Sequence, residues 1–224
     1  MEFLEGLLLP LTIVLRFILE AIVPVLGSYG LAIMVLSLIV STLLSPISTI
    51  ARRMEQKDKL RQEQMAPLID EVRKNYSGQE RFERTDQIYQ NFDYHPIKSM
   101  ASLLPLFVQL PFLLAALFLL IDYPPLQGEH FLFIQDLGKP DQLLSLPGTP
   151  WAINLLPVAL TLVAVLESVM RPEATRQSQR RFLIVAVVLL VLIYPFPAGV
   201  CLYWLTSNLA SFGRSLVARR RRRI

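Results

Sequence analysis

The chain has 224 residues, of which 53% are hydrophobic and only 18% are charged, with a formal net charge of +4. Soluble domains carry about 25% charged residues, and the charges here are concentrated in a few segments, which is typical of a multi-span membrane protein. One cysteine, Cys201, excludes a disulfide framework, and two distant histidines, His95 and His130, do not form a metal-binding motif. We therefore expect no metal, no cofactor and no nucleotide chemistry.

The first 26 residues are strongly apolar but carry polar side chains at intervals. These side chains fall on one narrow helical face at about 100° per residue; they are Glu2, Glu5, Thr12, Arg16 and Glu20. The pattern predicts an amphipathic helix over residues 1–26 that lies on the outer surface of the membrane. A spanning helix is the alternative. A cleaved signal peptide is not expected, because the segment lacks a positively charged start.

Five later stretches are candidates to cross the membrane, which takes about 20 apolar residues in a helix. They are residues 29–50, 100–121, 151–170, 181–195 and 198–215. The last two are separated by a Tyr-Pro-Phe-Pro sequence at 194–197, where two prolines force a tight turn. The sequence therefore predicts an all-α integral membrane protein, with a core of five transmembrane helices within residues 27–224.

The charged segment 52–98 interrupts this core. A charged helical pattern runs to Lys74, a turn is predicted at 75–78, and a second helical pattern covers 79–92. We interpret the segment as a helical hairpin outside the bilayer. The simplest interpretation of its function is that it is a solvated connector between two spans.

The distribution of Lys and Arg predicts the orientation, because these residues are enriched in cytoplasmic loops. Segment 52–98 carries ten of them, 171–181 carries four and the tail 214–224 carries six, whereas 122–150 has only Lys139. The hairpin and the C-terminus are therefore predicted to be cytoplasmic and the N-terminus to lie outside.

Polar side chains recur within three of the predicted spans. They are Ser37, Ser41 and Ser45 in the first, Gln109 in the second, and Tyr203, Thr206, Ser207 and Asn208 in the last. Polar groups in hydrocarbon need partners or water, so we interpret the set as the lining of a hydrophilic groove. A closely packed seam of small residues is the alternative for the serine stripe.

The predicted spans contain no catalytic constellation. Glu167, the one acid within them, lies near the cytoplasmic end of its span, and Arg171 four residues later is its expected partner. The chain is therefore not expected to be an enzyme or to bind a small-molecule substrate.

Taken together, these segments resemble the YidC/Oxa-type membrane protein insertases over nearly the whole chain. The resemblance rests on Gly30 through Pro46, the charged hairpin, Pro105-Leu-Phe-Val-Gln109-Leu-Pro111, Phe131-Leu-Phe-Ile-Gln-Asp136-Leu137, and Phe196-Pro197-Ala-Gly199 followed by Tyr203 and Ser207-Asn208-Leu209. It implies a bacterial inner-membrane protein with a five-helix core around a groove that is open to the cytoplasm and to lipid and closed outside.

Two positions depart from the family pattern. Bacterial members of this kind typically carry an arginine five residues before the proline of the first core helix, where this chain has Ser41 before Pro46. The resemblance thus implies a groove that is polar but uncharged at this position. In addition, His95-Pro96-Ile97 stands where the family has Asn-Pro-Leu, a few residues further from Gln109.

Two functions follow from the resemblance. One is an insertase or chaperone that takes client membrane proteins through the groove. The other is a non-catalytic scaffold subunit of a larger membrane complex, whose groove holds a partner helix permanently. Either function implies membrane lipid and protein partners, and neither implies DNA.

The basic tail also allows two interpretations. The five arginines Arg219, Arg220, Arg221, Arg222 and Arg223 can bind ribosomal RNA through phosphate contacts. Alternatively, they anchor the C-terminus to anionic lipid.

Overall fold

The chain folds almost entirely into α-helices, and the computed structural model describes residues 2–94, 104–145, 152–169 and 176–221. The α-helices within these ranges are α1 (Glu2–Leu26), α2 (Tyr29–Leu43), α3 (Ser45–Asn75), α4 (Gly78–Asn91), α5 (Leu104–Ile121), α6 (Leu155–Val169), α7 (Arg176–Ile193) and α8 (Ala198–Arg221). Two short strands, β1 (Leu144–Ser145) and β2 (Ala152–Ile153), pair antiparallel before α6. They are the small exception to the predicted all-α fold.

The contacts divide the chain into two units. The first comprises Met1–Leu43 and Pro111–Ile224, and the second is Leu44–Leu110. In the first unit, α8 packs between α2 and α6, α7 packs on α6, and α1 packs on α2. The side chains at these contacts are mostly aliphatic, as the buried Leu19, Ile33 and Leu36 illustrate.

Helix α1 has one buried and one exposed apolar face. Leu8, Leu15 and Leu19 are buried, whereas Ile13 and Phe17 are exposed. Among the described residues, the segment Gly6–Leu26 within α1 is the one helix both long and apolar enough to cross a membrane. The apolar parts of the other helices are shorter, and they comprise Tyr29–Leu43, Gln109–Ile121, Leu155–Val169 and Phe182–Ile193.

The predicted stretch 29–50 is not one helix. Helix α2 ends at Leu43 and α3 begins at Ser45, with Pro46 in its first turn. A proline has no backbone N–H and its ring clashes with the carbonyl four residues earlier. It therefore fits well in the first turn of a helix and disfavours the continuation of a helix that precedes it. Ser45 therefore belongs to α3 and not to the helix that carries Ser37 and Ser41.

The second unit contains the helices of the predicted hairpin. Arg61 Nη1 donates a hydrogen bond to the Asp93 carbonyl oxygen at 3.1 Å, and Gln62 Nε2 donates to Tyr94 Oη at 3.0 Å. Because Tyr94 follows the end of α4, these contacts make α3 and α4 antiparallel. The turn between them falls at 76–77, within the predicted 75–78.

The segment between α5 and β1 is a loop with a buried apolar side. It contains a 3-10 helix at Pro124–Leu126 and an isolated bridge between Phe131 and Ile134. Leu126, Ile134 and Leu137 are fully or almost fully buried. We call residues 122–142 the capping loop.

Candidate functional site

Helix α8 begins where the capping loop meets the Pro-containing turn at 194–197. The backbone N–H groups of Ala198 and Gly199 donate to the carbonyl oxygens of Lys139 and Leu137, at 2.7 and 2.9 Å. The first N–H groups of a helix have no acceptor within the helix. These two contacts supply the acceptors and attach the start of α8 to the capping loop.

The start of α6 and the end of α7 are attached at the same end of the unit. Asp141 Oδ2 accepts hydrogen bonds from the N–H groups of Leu155 and Leu156, at 2.6 and 3.1 Å, so that a carboxylate caps the positive end of the α6 dipole. Asn154 Nδ2 donates to the Tyr194 carbonyl oxygen at 2.8 Å. Hydrogen bonds from loop residues therefore link the start of α6, the end of α7 and the start of α8 to one another.

Helices α2 and α8 are joined by a buried hydrogen bond. Ser37 Oγ donates to the backbone carbonyl oxygen of Tyr203 at 2.7 Å, and both residues are buried. A serine at this position lets the two helices approach closely, because its side chain is small and its hydroxyl is satisfied by the neighbouring backbone.

A guanidinium group lies one turn further along α2. Arg214 Nη2 donates to Ser41 Oγ at 2.7 Å, in a partly buried contact between α8 and α2. At about 100° per residue, Tyr203, Ser207 and Arg214 fall within about 40° of one another around α8. One face of α8 therefore presents an aromatic ring, a hydroxyl and a cation in succession.

The neighbouring face of α8 contacts an acid. Ser211 Oγ donates to Glu167 Oε1 at 3.2 Å and links α8 to α6. Arg171, the expected partner of Glu167, lies outside the described residues. The polar side chains at this end of the unit thus come from three helices: Ser41 on α2, Glu167 on α6, and Ser211 and Arg214 on α8.

A separate polar cluster joins α1 to the capping loop. Arg16 Nε donates to Glu20 Oε1 at 2.8 Å, and Tyr123 Oη donates to the same oxygen at 3.2 Å. The Tyr123 ring packs edge-on against Tyr29, the first residue of α2, with 6.2 Å between the centroids. Burial, together with the Glu20 carboxylate, raises the pKa of Tyr123 to about 12, so the phenol stays protonated and keeps donating to Glu20 at neutral pH.

The part of the chain that the structure describes contains no group of three His, Cys, Asp or Glu side chains placed to hold a metal ion. Cys201 is buried within α8.

Residues 21–223 match the family described as 60Kd inner membrane protein. The chain belongs to this YidC/Oxa family. It is 26% identical over 93% of its length to the membrane protein insertase YidC of Thiobacillus denitrificans, but covers only 36% of that relative. It is 27% identical over 81% of its length to the YidC of Oceanobacillus iheyensis, of which it covers 70%.

The fold agrees with this membership. A crystal structure described as an active YidC insertase with its first transmembrane domain resolved aligns with 94% of this chain and 46% of its own, at a TM-score of 0.55 and 17% identity. The chain thus spans about a third to a half of the length of several of the relatives that it matches.

Within this YidC/Oxa fold, the predicted groove residues occupy different environments. Ser37, Tyr203 and Thr206 are buried, and Thr206 Oγ1 bonds the Leu202 carbonyl of its own helix. Ser207 and Asn208 are half-buried. All of these residues lie in the first unit together with Ser41.

The remaining predicted site residues lie elsewhere. Ser45 and Gln109 belong to the second unit, on α3 and α5. Arg219, Arg220 and Arg221 form the last residues of α8, and Arg222 and Arg223 lie outside the described residues.

The sequence alone does not predict the contacts of Arg214 and Ser211 with Ser41 and Glu167. Arg214 starts the positive run of the basic tail, yet it lies seven residues after Ser207, two helical turns further along the same face. Ser211 is a small residue between apolar neighbours and gave no signal of its own.

Proposed function

We propose that this chain is a membrane protein insertase or chaperone of a bacterial inner membrane, acting through a polar groove between α2, α6 and α8. The observation that carries the proposal is a pair of polar contacts less than one turn apart on α8, Ser211 with Glu167 of α6 and Arg214 with Ser41 of α2. Family membership over residues 21–223 supports it. The proposed activity is inferred by analogy with relatives that are named membrane protein insertase YidC.

The physical role of such a groove is to lower the cost of moving polar groups across hydrocarbon. Each backbone or side-chain polar group left without a partner in lipid costs several kcal/mol. A client's short polar segment would enter the groove, where hydroxyls and water replace its lost hydrogen bonds. Its apolar segment would meanwhile slide along the exposed aliphatic faces of the helices.

We propose the orientation that the Lys and Arg distribution predicts, with five spans, a cytoplasmic hairpin and a cytoplasmic C-terminus. The capping loop would then close the outer side of the groove. Helix α1 would lie on the outer surface, because Arg16 and Glu20 at its middle contact Tyr123 beside Tyr29, the first residue of α2. If α1 instead crossed the membrane antiparallel to α2, the middle of α1 would lie beside the middle of α2.

A second candidate function is a scaffold subunit that holds one partner helix. The buried bond between Ser37 and the Tyr203 carbonyl favours it, because this stretch of the α2–α8 contact is closed to a client. Purification in mild detergent separates the two functions. One stoichiometric membrane partner supports the scaffold, whereas ribosomes and heterogeneous nascent chains support the insertase.

Insertion of a single-span probe protein into vesicles containing the purified chain tests the insertase function. We expect insertion well above that of protein-free vesicles, and a loss of several fold in Ser41→Leu, which replaces a groove hydroxyl with an apolar side chain. Thr42→Leu is the matched control, because Thr42 is exposed on the same helix. Equal insertion with and without the protein would contradict the proposal.

A further inference from the structure

The capping loop contains a tight turn with two exposed apolar side chains. The backbone groups of Phe131 and Ile134 bond each other at 3.0 and 2.8 Å, so that residues 132 and 133 form the end of the turn. Phe131 and Ile134 are buried, whereas Leu132 is 80% exposed and Phe133 is 63% exposed. We call Leu132 and Phe133 the loop tip. The base of the turn therefore belongs to the packed unit, and the loop tip extends away from it.

Leu132 has a backbone conformation that large apolar residues rarely adopt. Its φ is +52°, in the left-handed region, which is unfavourable for residues other than Gly, Asn and Asp. A leucine side chain that stays in water offsets none of this cost. A leucine side chain that leaves water for hydrocarbon does offset it. The residue type at this strained position thus indicates an apolar environment around the loop tip.

Two contacts fix the position of the capping loop along α2. The Phe131 ring lies so close to Gly30 that a Cβ atom there would overlap it, and Tyr123 packs edge-on against Tyr29. Tyr29 and Gly30 are the first two residues of α2. In the proposed orientation, the base of the turn therefore lies at the level of the outer end of a membrane helix.

The side chains at this level are typical of a membrane–water interface, where tyrosines are enriched. Arg16 and Glu20, which contact Tyr123, have side chains that are about half exposed and can meet the headgroups. From the same level, α2 continues with the exposed Leu31 and Leu38, which lie within about 20° of each other around the helix. The turn therefore lies where the polar headgroups give way to the acyl chains.

We propose that the loop tip inserts into the outer leaflet of the bilayer and that its ligand is the acyl-chain region of the lipid. This inference goes beyond the proposed insertase function and uses only the proposed orientation. Continuity with the exposed apolar side of α2 favours lipid over a protein partner. The loop tip thus anchors the capping loop, and with it the start of α8, to the outer leaflet.

The insertion is shallow. The paired bonds between Phe131 and Ile134 satisfy the backbone at the base of the turn, so the base can remain at the headgroups. The two side chains of the loop tip then reach about 5 Å into the boundary between headgroups and acyl chains. Removal from water favours the inserted position of each side chain about tenfold or more. Together they hold the loop tip in the lipid nearly all of the time.

Quenching of tryptophan fluorescence by brominated lipid measures this insertion. The full-length chain carries Trp151→Phe and Trp204→Phe, which remove both native tryptophans, and Phe133→Trp then supplies the fluorophore. The protein is reconstituted in phosphatidylcholine vesicles with bromine near the upper end of the acyl chains. We expect Phe133→Trp to be quenched several-fold more than Gln127→Trp, the matched control at another exposed position of the capping loop. Both leaflets contain bromine, so the direction of reconstitution does not affect the result.

A charge at the loop tip separates insertion from the fold of the loop. Leu132→Asp, added to the Phe133→Trp protein, should lower the quenching to the level of Gln127→Trp, because an ionised carboxylate does not enter hydrocarbon readily. Aspartate adopts a positive φ more readily than leucine, so the turn should persist, and a monodisperse peak in detergent verifies this. Gln135→Asp adds the same charge at an exposed position outside the loop tip and should leave the quenching unchanged.

Three outcomes would overturn the proposal. The first is equal quenching of Phe133→Trp and Gln127→Trp. The second is quenching that persists in Leu132→Asp, because another part of the chain would then hold the loop at the lipid. The third is protection of Phe133→Trp from both brominated lipid and aqueous acrylamide, which would place a protein surface on the loop tip. None of these measurements uses a client, so the insertase function is tested independently.

Discussion

Gly30 permits a close approach between α2 and the capping loop. A Cβ atom added at Gly30, near the start of α2, would overlap the ring of Phe131. Phe131 is itself buried and forms the bridge with Ile134. Only a residue without a side chain fits between the α2 backbone and this ring.

We therefore expect Gly30→Ala to lower the free energy of unfolding by about 1–3 kcal/mol, the usual cost of overpacking. The measurement is thermal unfolding in detergent. The same change in a Phe131→Ala background should cost much less, because the ring is gone. Gly6→Ala is the control: no atom lies within 4 Å of its added Cβ, and Ala is the better helix former. Equal losses at both glycines would refute the contact.

Ser37 and Ser41 show what periodicity predicts and what it omits. Their four-residue spacing placed them correctly on one face of α2, and both contact α8. The spacing could not tell that one hydroxyl bonds a backbone carbonyl while the other meets an arginine. That difference depends on which residues of α8 lie opposite each serine. The residue pattern within α2 contains no information about α8. For the same reason, the sequence implies an uncharged groove at position 41, whereas in the structure Arg214 contacts Ser41.

At the scale of elements, the helix ends at two of the turns that contain a proline or glycine follow from the sequence. The turn at 194–197 separates α7 from α8, and the turn before Gly78, which has a φ of +58°, separates α3 from α4. The break before Pro46 was not predicted, because the apolar pattern continues through it. The apolar pattern of a segment reports its hydrophobicity, but it does not show that the proline lacks the N–H group needed to continue the helix.

Helix α1 provides the sharpest test of the arrangement of elements. In a Cys201→Ser background, a single cysteine replacing Phe3 should react with an impermeant thiol reagent from outside intact cells, because an interfacial helix keeps both ends on the outer side. A spanning α1 would place residue 3 inside.

A cysteine replacing Gln79 is the internal control for this experiment. It lies on the predicted cytoplasmic hairpin and should react only after the inner face is exposed. Labelling of Gln79→Cys from outside would invert the whole proposed topology, whereas labelling of both positions only from inside would assign α1 to the membrane interior.

At the scale of the whole molecule, the C-terminal tail 214–224 is a segment of unbalanced charge, because it carries six arginines and no acidic residue. If the tail binds ribosomes, deletion of residues 219–224 should weaken their co-sedimentation at low salt and have little effect near 1 M salt, where the Debye length is only about 3 Å. Replacement of the five arginines by lysines is the control and should retain most of the binding. Unchanged co-sedimentation after the deletion would assign the tail to lipid.

The closed end formed by the capping loop has an electrical consequence. In the proposed orientation, water in the proposed groove would be at the cytoplasmic potential. The transmembrane voltage would then fall mainly across the region around Asp141, Asn154 and the start of α8, and not across the full bilayer. Each elementary charge that crosses this region exchanges about 2.3 kcal/mol with a potential of 100 mV. With the cell interior negative, an acidic tail would gain this energy over a short distance.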